Sequence, residues 1–125
     1  MATTILIVDD SPTMRSMVRS VLEQDKHHVC EAPDGRSALT TVEHTPPDLV
    51  ITDVNMPEMD GLALVRALRG RTRQRFTPIL VLTTEHGDAM KQRGREAGAT
   101  GWLVKPFDPE QLRSVVDRVL KAKRR

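Results

Sequence analysis

The sequence has one cysteine, Cys30, so no intrachain disulfide can form. That excludes a disulfide framework and fits a reducing cytosol, with Cys30 expected as core filler in a strand. Tyrosine is absent, and Phe76, Trp102 and Phe107 are the only aromatic residues. Three rings scattered along the chain do not make a platform on which single-stranded bases could stack. No apolar run approaches the roughly 20 residues of a membrane-spanning helix, and Met1-Ala2-Thr3-Thr4 lacks the basic stretch that opens a secretory signal. Neither sign of charge dominates: 19 Lys and Arg face 17 Asp and Glu, a net charge of +2. Such a balance does not argue for a nucleic-acid ligand. The absences together describe a cytoplasmic protein with no nucleic acid and no membrane among its partners. A chain of 125 residues fits one domain, 1–125, long enough to bury a core without a structural metal.

What the chain has is a repeated pattern of short apolar runs that end in polar groups. Ile5-Leu6-Ile7-Val8 ends in Asp9-Asp10, and Leu49-Val50-Ile51 ends in Thr52-Asp53. Ile79-Leu80-Val81-Leu82 ends in Thr83-Thr84, and Trp102-Leu103-Val104 ends in Lys105-Pro106. Runs without polar alternation are strands covered on both faces, the signature of a parallel sheet. Between them lie stretches with helical periodicity. Ser11-Pro12 caps a helix to about Asp25 whose stripe is Met14, Met17, Val18, Val21 and Leu22, all expected in the core. His27 to Glu31 is a weak strand, and the turn Pro33-Asp34-Gly35 leads into a helix carrying Ala38, Leu39 and Val42, closed by Thr45-Pro46-Pro47. Asp60 caps a helix with Leu62, Leu64, Val65 and Leu68, and Asp108 opens a last one with Leu112, Val115, Val116, Val119 and Leu120. The helix predicted over Asp88 to Ala97 is the weakest and most mobile, because Met90 and Ala97 are its main apolar residues and Gly94 lies inside it. The order βαβαβαβαβα is an α/β doubly wound domain with a parallel sheet.

In an open parallel sheet the strand carboxyl ends share one edge, and ligands bind there. Asp9, Asp10, Asp53, Thr83 and Lys105 should therefore converge although the sequence scatters them. Two carboxylates about 4 Å apart repel by roughly 4 kcal/mol at an effective dielectric near 20, so a proton or a cation must compensate. Oxygen-only ligands in small number suit Mg2+, and Lys105 adds a fixed positive charge for an incoming phosphoryl group. The loop Asp9-Asp10-Ser11-Pro12 has no glycine, and no Gly-x-x-x-x-Gly-Lys-[Ser/Thr] stretch exists, which argues against nucleotide hydrolysis. Asp53, the central acid, is the best nucleophile, Asp9 and Asp10 are metal ligands, and Thr83 donates a hydroxyl to a phosphoryl oxygen. The histidines His27, His28, His44 and His86 lack the spacing of a zinc pair. The arginines at 66, 69, 71, 73 and 75 read as a solvated face. The basic end formed by Lys121, Lys123, Arg124 and Arg125 reads as favouring the negative end of the last helix dipole.

The stretches Val8-Asp9-Asp10-Ser11, Met14-Arg15, Asp53-Val54-Asn55-Met56-Pro57 and Met59-Asp60-Gly61-Leu62 share one source. With Thr83-Thr84-Glu85, Ala97-Gly98-Ala99 and Val104-Lys105-Pro106-Phe107 they form a set that covers almost the whole chain. It resembles the receiver domains of two-component response regulators, and among them the single-domain chemotaxis regulators of CheY type. The resemblance implies a (βα)5 flavodoxin-like three-layer sandwich with a five-stranded parallel sheet of order 2-1-3-4-5. It implies that Asp53 is the phosphoacceptor and that Mg2+ is held by Asp10, Asp53 and the backbone carbonyl of Asn55, with Asp9 assisting through water. Thr83 and Lys105 would contact the phosphoryl group, and the Lys105-Pro106 bond would be cis. Thr83 and Trp102 would form the switch, and Asn55 and Glu85 would tune the rate of dephosphorylation. Trp102 also reads as a half-buried strand residue packing against the last helix. The implied partners are a sensor histidine kinase as donor and, through the surface of helix four, strand five and helix five, an output protein such as the flagellar motor switch. The protein would act as a monomer and catalyse only its own phosphotransfer and dephosphorylation.

Three other readings compete. A phosphatase of the haloacid-dehalogenase type needs Asp-x-Asp after strand one, where this chain has Asp9-Asp10-Ser11. A non-phosphorylated docking module has no need of the complete acid, threonine and lysine set. A receiver in a different phosphorelay would carry the same residues.

Overall fold

A computed structural model describes residues 3–85 and 87–123; Met1, Ala2, His86, Arg124 and Arg125 lie outside the described residues. The elements run β1 (Thr4–Val8), α1 (Pro12–Gln24), β2 (His28–Ala32), α2 (Gly35–His44), β3 (Leu49–Asp53) and α3 (Gly61–Arg69). A 3-10 turn (Thr72–Gln74) then leads to β4 (Ile79–Thr83), α4 (Asp88–Ala97), β5 (Gly101–Val104) and α5 (Pro109–Lys123). All strand pairs are parallel and the sheet order is β2-β1-β3-β4-β5. This is the doubly wound flavodoxin-like arrangement expected from the resemblance.

Strand side chains alternate between two cores, which explains why the strands have no polar alternation. Ile5, Ile7, Leu49, Ile51, Leu80 and Leu82 point into one core with Val18, Val21 and Leu22 of α1 and Leu112, Val116 and Leu120 of α5. Leu6, Val8, Val50, Ile79 and Val81 point into the other, with Ala38 and Val42 of α2, Leu62, Val65 and Leu68 of α3, and Met90 and Ala97 of α4. Removing one fully buried leucine, such as Leu80, from such a layer costs about 2–5 kcal/mol.

Helix starts follow the capping residues. Ser11 Oγ accepts from the Met14 amide, Asp34 Oδ1 from Ser37 and Asp60 Oδ1 from Ala63. Asp108 Oδ1 accepts from Glu110 at the start of α5. α4 begins at Gly87 without a side-chain cap and ends at Gly98, whose φ of 105° suits glycine.

Four local expectations need correction. Met17 is 45% exposed, because the apolar stripe of α1 is wider than its contact with the sheet and only Val18, Val21 and Leu22 are buried. Cys30 is half-buried at the margin of the α2, α3 and α4 core rather than inside it. Asp53 is not delivered to a surface loop: it is the last residue of β3, paired with Leu82, and buried. The basic stretch after α3 is not uniformly solvated. Arg69 turns inward and donates to the carbonyls of Gly98, Gln74, Arg75 and Thr77, and burial pulls its guanidinium below the usual arginine range. Arg71 pairs with Glu43 of α2, while Arg66, Arg73 and Arg75 are exposed.

Candidate functional site

Parallel strands place their carboxyl ends together, and three acids meet there. Asp9 follows β1 and is buried, Asp53 closes β3, and Asp10 is exposed beside them. Each offers one carboxylate oxygen, and these oxygens lie within 4.8 Å of one another. Lys105, immediately after β5, reaches across: its Nζ is 3.1 Å from Asp53 Oδ1 and 3.4 Å from Asp9 Oδ2. The Lys105-Pro106 peptide is cis, as expected.

The acids are held from behind. Asp9 Oδ1 accepts from the Ser11 amide and Asp53 Oδ1 from the Val54 amide, both at 2.9 Å. Burial pushes the Asp9 carboxyl above its ordinary range and Asp53 adds to that push, against the pull of the Ser11 amide and Lys105. Arg15, which sequence reasoning gave no role, donates from Nη1 to the Asp9 carbonyl at 2.6 Å and from Nε to Glu31 of β2 at 3.0 Å. Its presence in Met14-Arg15 was visible, but nothing in the sequence ties residue 15 to the backbone of residue 9. Gly61, read from sequence only as the opening of a helix, donates its amide to the Val54 carbonyl at 2.8 Å and so docks α3 against the end of β3.

Thr83 is fully buried at the end of β4, its Oγ accepts from the Glu85 amide at 3.0 Å, and its carbonyl accepts from the Lys105 amide at 2.8 Å. A hydroxyl that accepts one bond keeps its proton for another acceptor. Asn55 and Glu85 are exposed in the loops after β3 and β4. Trp102 is not brought to the acids. It pairs with Val81 in the sheet and does not pack against the last helix. The pleat sends Leu103 toward α5 and Trp102 the opposite way, onto α4, where the ring lies beside Gly94 and Lys91 Nζ sits 5.6 Å from its centroid.

The donor set is chemically selective. Three carboxylates with no histidine or thiolate suit a hard, hydrated divalent cation such as Mg2+, which keeps several waters and takes one or two carboxylates. The residues present fit that ion, and Asp9, Asp10 and Asp53 are the side chains that would hold it. On the other side, Lys105 provides a cation that needs no binding step.

Residues 5–117 match the family model described as response regulator receiver domain. The chain is 38% identical to the chemotaxis protein CheY1 of Helicobacter pylori over 93% of its own length and 95% of that protein. It also matches the sensor histidine kinase TmoS of Ectopseudomonas mendocina at 36% identity, covering 95% of this chain but 12% of that protein. Among solved structures, the chemotaxis protein CheY4 of Vibrio cholerae superposes with a TM-score of 0.92 at 46% identity, covering 95% of this chain and 99% of that one. The receiver domain of sensor histidine kinase PA1611 from Pseudomonas aeruginosa, a structure with a magnesium ion in its active site cleft, superposes at 0.89 with 26% identity over 97% of this chain.

Proposed function

The chain belongs to the response regulator receiver domain family, and on that premise we propose that it is a phosphorylation-activated signalling protein whose phosphoacceptor is Asp53. The observation that carries the reading is the placement of Lys105 Nζ 3.1 Å from Asp53 Oδ1 beside two further carboxylates. A lone buried acid would be a structural oddity; an acid with a fixed cation and two candidate metal ligands is equipped for phosphoryl transfer.

In the proposed reaction an Asp53 carboxylate oxygen attacks the phosphorus of a phosphohistidine on a sensor histidine kinase. The new bond is the acyl P–O bond, the P–N bond breaks, and the imidazole leaves with its electron pair and takes up a proton. Water later attacks the same phosphorus, releasing inorganic phosphate and restoring the carboxylate. Mg2+ held by Asp9, Asp10, Asp53 and the Asn55 carbonyl would offset phosphoryl charge. Lys105 stabilises the oxygens of the transferring group, and Thr83 donates its hydroxyl to one of them once the group is attached. Asn55 and Glu85 are exposed in the loops that follow Asp53 and Thr83, which suits a role in setting the lifetime of the phosphorylated state.

Similarity to CheY proteins over nearly the whole chain supports a monomeric, cytoplasmic chemotaxis regulator that signals to the flagellar motor switch through α4, β5 and α5. No helix among the described residues is long and apolar enough to cross a membrane. The match to a sensor kinase of which this chain spans 12% supports a second reading, a receiver in another phosphorelay.

Intact mass after incubation with a small-molecule phosphodonor tests the chemistry. The expected result is one added phosphoryl group, dependent on Mg2+ and absent in Asp53→Asn. A folded protein that takes up no phosphoryl group under any condition would overturn the reading. Phosphotransfer rates from a chemotaxis kinase and from a hybrid sensor kinase then separate the two pathways.

A further inference from the structure

At the edge of the sheet opposite the acids, where β4 begins and α5 ends, lies an open groove of about 740 Å³. Its walls include Phe76, Pro78, Val119 and Ala122, with Arg73 and Arg118 beside them. Phe76 is 85% exposed, and among the described residues only Met17 is another exposed large apolar side chain. Water gains nothing from a solvated phenyl ring, and an apolar surface set in a concave, charged rim is the usual form of a binding site. The rim is equally unsatisfied. The side chains of Arg73 and Arg118 have neither a hydrogen-bond nor an ion-pair partner among the described residues; Arg66, Arg75, Arg93 and Arg95 share that state elsewhere on the surface, but only Arg73 and Arg118 stand beside the groove. Among the described residues, no carboxylate lines the groove.

We propose that this groove docks an acidic peptide segment of a partner protein, with a bulky apolar side chain of that segment against Phe76 and its carboxylates on Arg73 and Arg118. Charge complementarity selects this occupant. A second copy of the chain docking through the same face would set Arg73 and Arg118 against themselves, and like charges at the centre of a two-fold contact oppose association. A nucleic-acid strand needs a track of cations for successive phosphates and several rings for its bases, and here two cations flank a single ring on a floor of proline, valine, alanine and threonine. An acidic peptide with one apolar anchor uses every feature present. The groove lies about 16 Å along β4 from Thr83, taking five residues of strand rise, so docking there leaves the acid cluster uncovered.

The test is fluorescence anisotropy of the full chain with a short fluorescein-labelled peptide in which glutamates alternate with leucine and tryptophan. A control peptide carries lysine in place of glutamate, and a labelled single-stranded oligonucleotide is run in parallel. Saturable binding of the acidic peptide is expected, weakening as salt rises. The double variant Arg73→Glu, Arg118→Glu should weaken it by roughly tenfold or more, and Phe76→Ser by roughly fivefold. All three side chains are exposed, so circular dichroism and phosphoryl uptake at Asp53 should match the parent in both variants. Equal binding by parent and variants, or by the glutamate and lysine peptides, overturns the proposal. So does tighter binding of the oligonucleotide that the charge-reversed variant loses, which assigns the groove to nucleic acid. A dimer in sedimentation that Phe76→Ser dissociates overturns it in favour of a second copy. Because phosphoryl uptake is measured on the same samples, failure of docking and failure of the phosphoacceptor reading are told apart.

Discussion

Gly61 lies against the backbone of Asp53 so closely that a Cβ at position 61 would collide with the Asp53 carbonyl oxygen and stand 2.9 Å from its carbonyl carbon. No side chain fits there, because the neighbour is main chain and cannot rotate away. The contact seats the start of α3 directly behind the proposed phosphoacceptor. Gly61→Ala is therefore expected to push β3 and α3 apart, at a cost of about 1–3 kcal/mol or more, and to slow phosphoryl uptake at Asp53. Gly70→Ala makes the contrast: φ is −76° and the added Cβ meets only carbonyl oxygens at 3.5 and 3.7 Å. That change should be neutral or stabilise by up to about 1 kcal/mol by restricting the unfolded chain. Urea denaturation and the rate of mass gain with a phosphodonor check both; equal stability of the two variants would contradict the packing argument.

Arg69 fastens the end of α3 to the Gly98 turn that closes α4 and to the segment leading into β4. Arg69→Met keeps an unbranched apolar stem, shorter than arginine, and removes all the donors, leaving the partly buried carbonyls of Gly98, Gln74 and Thr77 without this partner. A loss of about 2–3 kcal/mol is expected, against less than about 0.5 kcal/mol for Arg66→Met on the exposed side of the same helix. Urea midpoints with unchanged m-values would carry the comparison.

Much of this architecture was legible in the sequence, for identifiable reasons. A strand such as Ile79-Leu80-Val81-Leu82 declares itself because both faces are buried, and Ser11, Asp60 and Asp108 declare helix starts because an N-cap is a local interaction. The acids and Lys105 were legible as a group because a parallel sheet forces strand ends to one edge. What stayed hidden depends on long-range geometry. The inward turn of Arg69 and the reach of Arg15 to the Asp9 carbonyl are set by which elements pack together, and an arginine looks the same in either setting. Met17 illustrates a limit of periodicity, since a stripe of five apolar residues does not say how wide the buried contact is. The side of the sheet that Trp102 faces follows from strand parity, and the parity of a four-residue strand is ambiguous until its neighbours are placed.

Far from the acids, Arg113 of α5 clamps Asp25, the residue that ends α1, from Nε at 3.0 Å and Nη2 at 2.6 Å. The guanidinium holds the Asp25 carboxyl below the usual carboxylate range. A carboxyl whose pKa is lower folded than unfolded contributes stability that is complete above the unfolded value, near 3.9, and is lost as pH falls through the folded value. The stability difference between the parent and Asp25→Asn should therefore be largest near neutral pH and shrink as pH drops below about 4. Added salt should also reduce it, because the pair is partly exposed. Urea midpoints at neutral and acid pH measure it, and a difference that grows on acidification would mean the clamp does not act through the ionised carboxylate.

The pairing of Gly94 with Trp102 separates a packed tryptophan from a moving one. A Cβ at position 94 would meet the ring at 3.7 and 3.8 Å, ordinary contact distances, so Gly94→Ala fills space rather than clashing. Replacing an interior helical glycine with alanine should stabilise α4 by about 0.5–1 kcal/mol. The same methyl group narrows the room in which the ring can turn between α4 and β5. If Trp102 changes position when Asp53 is phosphorylated, Gly94→Ala should gain stability and lose part of the fluorescence change that accompanies phosphoryl uptake, with the uptake itself intact. If the ring is only a packed strand residue, phosphorylation of the parent leaves fluorescence unchanged and Gly94→Ala alters stability alone. Stopped-flow fluorescence and intact mass on the same samples distinguish the two, because mass reports the chemistry at Asp53 and fluorescence reports the ring.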